Sequence, residues 1–328
     1  MSLCEKKIRE EKLKEKLKEY EENIEREETK EKTTKFISYA NKNKVYINQR
    51  DNYYWFEYGG KSMAEFKIKS NNKDSNDNFV YKWDFFPKKN KFDFPYHYML
   101  VYVDEKYGYY LLGGCDPDNC FQFNNGVITK KANMTIQRSF MSVISNDYLI
   151  FAIGGFDYKE KTQIGSIEIY DVKNDQWMTG VLKDLVIPRS QSSALLFNES
   201  NIYVFGGFNA NLGTLNSIEV IDLENKENTL LKITIPIPLR RFSSLKISDN
   251  KVLLLGGLTS KTKNNNTTYV IDFKENKVEK GKILNKGGVL EQEVIFEQNG
   301  KIHLFFEKNF GTEPHDHLVA DFFDLFNI

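Results

Sequence analysis

Runs of apolar residues ending in Gly-Gly recur along this chain: YYWFEYGG (53–60), YGYYLLGG (107–114), YLIFAIGG (148–155), NIYVFGG (201–207) and KVLLLGG (251–257). A sixth run, KIHLFFEK (301–308), keeps the apolar stretch but carries Glu307 and Lys308 where the glycines would stand. The run ends fall at positions 60, 114, 155, 207, 257 and 308. This period of about 50 residues predicts a repeat built from one small sheet.

Each run has similar surroundings. A strand-like stretch and a short turn precede it: KVYINQ (44–49), YHYMLVYV (96–103), SFMSVIS (139–145), SSALLF (192–197), SSLKIS (243–248) and QEVIFE (292–297). The turns, such as Asn146-Asp147, Asp249-Asn250 and Gln298-Asn299-Gly300, have hairpin chemistry. A third strand follows: MAEFKI, NCFQF, SIEIYD, SIEVID, TYVIDF and HLVADFF. Five copies add a fourth: NFVYKWDFF, GVITKKA, QWMTGVL, NTLLKITI and KVEKGKIL. Four short antiparallel strands repeated six times point to a propeller, whose closed ring leaves only short, protected strand edges.

These residues resemble the kelch repeat. The third copy carries Gly154-Gly155, Tyr170-Asp171 and Trp177; the fourth has Pro188-Arg189 and Gly206-Gly207; the fifth has Pro238, Arg240-Arg241 and Gly256-Gly257. Glycine pairs also stand at Gly59-Gly60 and Gly113-Gly114. The resemblance implies an all-β, six-bladed kelch-type propeller of four-stranded antiparallel blades over residues 33–328. The blades fall at about 41–86, 95–132, 138–183, 188–236, 239–284 and 289–328. The last copy is short, so FISYA (36–40) is expected to close it, with DLFNI (324–328) as the alternative outer strand. In this family the glycines let the second strand pack closely near the axis, and the Tyr and Trp fill space between blades.

Residues 1–32 have another texture. They are rich in Lys, Arg and Glu and contain neither Gly nor Pro. Glu5 to Arg9 and Glu10 to Lys14 are helix-supporting pairs, and Leu13, Leu17, Tyr20 and Ile24 fall at heptad spacing. The segment is expected to be a charged N-terminal α-helix, either solvated or a short coiled coil for self-association.

Composition narrows the function classes. Lys plus Arg and Asp plus Glu are 46 each in 328 residues, so no global field draws nucleic acid or an anionic membrane. Charge density is uneven: charged side chains are the majority at positions 1–32 and a minority in the rest of the chain. Cys4, Cys115 and Cys120 are too few for a disulfide scaffold. The N-terminus has no apolar signal region, and no run reaches a membrane span. A cytoplasmic protein is expected, with neither membrane nor nucleic-acid partners and no cofactor.

His315-Asp316-His317 offers two imidazoles on one strand face, a weak metal pair that lacks a third ligand in sequence. His97 and His303 lie in expected strands. Some kelch-like propellers are enzymes, among them copper oxidases, iron-dependent specifier proteins and sugar epimerases; the Glu-x3-Asp-x3-His of the iron-dependent ones is absent, as are Gly-x-Ser-x-Gly and a phosphate loop. No catalytic residues are assigned.

The resemblance implies a non-catalytic protein-interaction or scaffold module that binds through one loop face, and an N-terminal helix able to dock onto a filament or larger assembly suggests a cytoskeletal or ciliary setting. A metal-dependent or small-molecule (sugar) propeller enzyme is the alternative. The expected face carries Phe156, Tyr158, Phe208, Asn209 and Asn211. Arg is scarce beside Lys, yet Arg138, Arg189, Arg240 and Arg241 all precede an inner strand. Two roles fit them: structural forks that bond loop carbonyls, or a ring that receives an acidic or phosphorylated peptide.

Overall fold

A computed structural model describes residues 53–58, 62–73, 79–86, 98–104, 106–114, 119–124, 127–259, 263–284, 295–298, 301–306 and 316–321. The expected helix at 1–32, the strand at 36–40 and the DLFNI end lie outside the described residues, as do Gly59, Gly60, His97 and His315.

The strands group by repeat. β1 (Tyr53–Tyr58), β2 (Ser62–Lys73) and β3 (Phe79–Phe86) form one antiparallel sheet. β4 (Tyr98–Tyr102), β5 (Tyr109–Gly113), β6 (Cys120–Asn124) and β7 (Val127–Lys130) form the next. The third repeat gives β8 (Ser142–Asn146), β9 (Leu149–Ile153), a small ribbon of β10 (Phe156–Asp157) and β11 (Thr162–Gln163), then β12 (Ile167–Asp171) and β13 (Gln176–Met178).

The fourth repeats this plan with β14 (Ser193–Asn198), β15 (Asn201–Phe205), a ribbon of β16 (Phe208–Asn209) and β17 (Gly213–Thr214), then β18 (Ile218–Asp222) and β19 (Glu227–Leu230). The fifth has β20 (Ser243–Lys246), β21 (Lys251–Leu255), β22 (Thr267–Asp272) and β23 (Lys277–Ile283). A last sheet joins β24 (Ile295–Gln298), β25 (Lys301–Phe306) and β26 (Asp316–Asp321).

The innermost strands β4, β8, β14 and β20 lie side by side in chain order. Three apolar clusters fill the gaps between their sheets. Met99, Tyr110 and Leu112 meet Val143, Ala152 and Tyr170; Phe151 and Ile153 meet Ala194 and Val204; Leu195 and Phe205 meet Val252 and Leu254. Both faces of the second strands are therefore buried, which explains their unbroken apolar runs. This stacking of four-stranded antiparallel sheets is that of successive propeller blades.

Polar bonds register the inner strands. Ser142 Oγ donates to the Ser192 carbonyl (3.0 Å), and the Ser193 and Ser244 hydroxyls meet at 2.7 Å.

The glycine pairs hold blade to blade. Gly154 and Gly155 have φ of 62° and 114°, a region other residues adopt only with strain. A Cβ on Gly154 would lie 2.5 Å from the Arg189 carbonyl oxygen. That same carbonyl accepts the Gly155 N–H at 2.8 Å, and the Leu239 carbonyl accepts the Gly207 N–H at 2.8 Å. Strands β9 and β15 thus end by bonding the segment that leads into the next blade. At the ends of the third strands β12, β18 and β22, Asp171, Asp222 and Asp272 each accept two backbone N–H groups of the following turn, the local bond that makes Asp a turn former.

Candidate protein-binding face

The four arginines that sequence groups together divide into two kinds. Arg138 and Arg189 are completely buried. Arg138 donates to the Gly154 and Ser166 carbonyls (2.9 and 2.8 Å) and pairs with Glu168 at 2.6 Å. Arg189 donates to the Gly206 carbonyl (3.0 Å) and pairs with Glu219 at 3.0 Å.

Each carboxylate also caps the segment between blades. Glu168 accepts the N–H groups of Thr135 and Ile136; Glu219 accepts that of Val186 at 2.6 Å. Burial pushes the Glu219 carboxyl above its ordinary range, and the Val186 N–H and the Arg189 charge pull it back only in part. Burial likewise holds both guanidiniums below theirs. Arg138 and Arg189 therefore do not belong to the binding face: they fill the structural role, bonding loop carbonyls inside the blade.

The fifth repeat does not continue the pair. Leu239 takes the place of Arg138 and Arg189, as the shared bond to the preceding glycine pair shows. Strand register sets Tyr269 opposite Leu254, where Glu168 faces Ala152 and Glu219 faces Val204. Leu239 and Tyr269 lie in one apolar cluster. Both members of the ion pair have been exchanged for apolar packing at once, so no buried charge is left alone.

Arg240 and Arg241 stand one and two positions further on. Arg240 occupies the position of Ser139 and Ser190, each bridged to the residue after its glycine pair. Both arginines are half-buried. Arg240 donates to Gln191 Oε1 (3.2 Å), and its guanidinium lies 5.2 Å from the Phe208 ring centre. Arg241 has φ of 50° and lies 5.9 Å from the Phe140 ring centre. Burial, then the charge of Arg241, pulls the Arg240 guanidinium below its ordinary value.

Beside them project the two ribbons. Phe156 and Tyr158 meet edge to face at 5.1 Å, with Tyr158 42% exposed. Asn209 Oδ1 accepts the Asn211 and Leu212 N–H groups, and its amide donates to the Pro188 carbonyl at 2.8 Å. Asn209 thus builds its loop, while Asn211 is exposed and Leu212 is 62% exposed. The Ala210 N–H donates to Gln163 Oε1 (2.9 Å), tying one ribbon to the next. Phe156, Tyr158, Phe208, Asn209, Asn211 and Arg240 therefore lie on one continuous face, with Leu212 an exposed apolar residue that sequence did not single out.

The other candidates have different surroundings. Tyr170 is buried, donates to Asp175 Oδ1 (2.5 Å) and lies 5.0 Å from the Trp177 ring. Trp177 Nε1 donates to the Ala132 carbonyl at 2.7 Å. Cys120 is buried, and burial raises its thiol pKa, so it is not a poised nucleophile. His303 pairs with Val319 and His317 with Phe305 in the last sheet. Among the described residues, no three of His, Cys, Asp and Glu cluster as a metal set, and no helix is long and apolar enough to cross a membrane.

Residues 138–287 match the model of the KLHDC2/KLHL20/DRC7 Kelch-repeats domain. This stretch is a run of kelch repeats. The chain is also 30% identical over 204 residues to alpha-scruin of Limulus polyphemus. That match covers 55% of this chain and 21% of alpha-scruin, so the chain spans a small part of that relative's length. The kelch match begins at the buried Arg138 and contains both ribbons, the Tyr170–Trp177 pair and the Arg240–Arg241 step.

Proposed function

We propose that this chain is a non-catalytic protein-interaction module that receives its partner on the face built by the two ribbons and Arg240. The exposed Tyr158 and Leu212 on rigid, mutually bonded hairpins carry this reading. Exposed aromatic and aliphatic tips beside a guanidinium are the features of interface hot spots.

The recognised segment is an acidic or phosphorylated peptide, because Arg240 keeps donors available and sits next to a second guanidinium. The host assembly is cytoskeletal or ciliary, and the N-terminal segment contributes self-association. Self-association stands on the heptad spacing at Leu13, Leu17, Tyr20 and Ile24.

Site-specific photo-crosslinking tests the face. A photoreactive residue at position 212 should capture a partner in cells. The same residue at position 225, in the turn at the opposite end of the strands, should not. Equal capture from both positions would end this reading.

A further inference from the structure

Within the charged N-terminal segment the two signs are separated. Residues 1–18 hold 7 Lys/Arg and 4 Glu, whereas residues 19–32 hold 3 Lys/Arg and 7 Glu. The most acidic stretch is 19–28, EYEENIEREE, with six Glu and one Arg around Tyr20 and Ile24. Acidic and apolar side chains are therefore combined in one short piece of chain.

The kelch face presents the complement. Among the described residues no carboxylate pairs with Arg240, and its Nε is buried without an acceptor. Leu258 is bridged to both Arg240 and Asn264, which puts the exposed Lys263 beside this step. Tyr158 and Leu212 offer apolar contact on the same face.

We infer that residues 19–28 dock on the Arg240 face of their own chain and compete there with an external acidic partner. This rests on the proposed function above and names an occupant for the same site. The tether permits it. From residue 28 to the expected closing strand at 36–40 the chain can span up to about 26 Å, against a radius of gyration of about 19 Å for a compact domain of about 300 residues. A tether of this reach gives an effective concentration of about 1 mM. If the free stretch binds with Kd of about 0.1 mM, self-docking weakens an external competitor about tenfold.

The probe is a fluorescein-labelled peptide, EYEENIEREE, titrated by anisotropy against the full chain. The comparison is a full chain with Glu19→Gln, Glu21→Gln, Glu22→Gln, Glu25→Gln, Glu27→Gln and Glu28→Gln. The expected result is about tenfold tighter binding to the substituted chain. Arg240→Ala, or Lys263→Glu where Arg240→Ala fails to fold, should remove or weaken binding in both backgrounds.

Equal binding to both chains would overturn the inference and leave the face reading standing. Binding to neither would end both. A difference that disappears on dilution of the protein would assign the stretch to a second copy and overturn docking within one chain.

Discussion

Arg189 and Glu219 stand in separate segments of one blade, before its inner strand and in its third strand, yet lie 3.0 Å apart with both side chains fully buried. Arg138 and Glu168 repeat the same sequence separation one blade earlier, at 2.6 Å. The pair locks the segment before the inner strand to the third strand of the same blade, and the Arg189 carbonyl then bonds Gly155 of the blade before. One side chain and its own backbone thus link two neighbouring blades.

Removing one partner should be far worse than replacing both. Arg189→Leu should destabilise the chain by about 3–5 kcal/mol, since Glu219 is left as an unpaired buried charge. The double variant Arg189→Leu/Glu219→Tyr imports the Leu239–Tyr269 solution of the fifth blade. It should recover most of that loss in urea unfolding. A double variant no more stable than the single one would contradict the pairing argument.

The glycine pairs make a second contrast. Gly213 has φ of 79° with open space where a Cβ would go, so Gly213→Ala should cost about 1–2 kcal/mol of backbone strain alone. At Gly154 the added Cβ would also run into the Arg189 carbonyl. Gly154→Ala should therefore cost a further ~1–3 kcal/mol. Equal unfolding midpoints for the two variants would refute the close-approach account.

Much of this is open to reading from sequence. The strands are legible because buried second strands are continuous apolar runs and the paired glycines mark where each stops. Arg138, Arg189 and Arg240 look equivalent because each precedes an inner strand, yet Arg240 is shifted by one position, and that shift takes it from the interior to the face. Glu168 and Glu219 escape notice as partners. Their signal is present: the same Arg-to-Glu separation in the third and fourth copies, and the joint exchange to Leu239 and Tyr269 in the fifth. Only strand register turns that separation into contact. The ribbons β10–β11 and β16–β17 are hidden because two-residue strands carry no periodicity. Their cue is the Asp157 or Asn209 turn after a phenylalanine.

Acid should act through the turns. The Asn225 backbone N–H, then its side chain, holds the Asp222 carboxyl below its ordinary value of 3.8. A lowered folded value means the unfolded chain binds the proton more readily. The stabilisation is therefore present above pH 3.8 and is lost as pH falls through the lower folded value. Asp222→Asn can still accept the turn N–H groups but cannot titrate. The stability advantage of the parent chain over this variant should shrink as pH is lowered below that ordinary value in acid-titrated urea unfolding. A difference independent of pH would show that the charge of Asp222 does not contribute.

Partner binding at the ribbon face, with Arg240, is the property on which all else here depends. The most direct measurement is proximity labelling in the native cell, comparing the parent chain with Tyr158→Ala/Leu212→Ala/Arg240→Ala after confirming an unchanged unfolding midpoint. Loss of a discrete set of labelled proteins, with the general background retained, is the predicted result. An unchanged set from the folded triple variant would contradict the account.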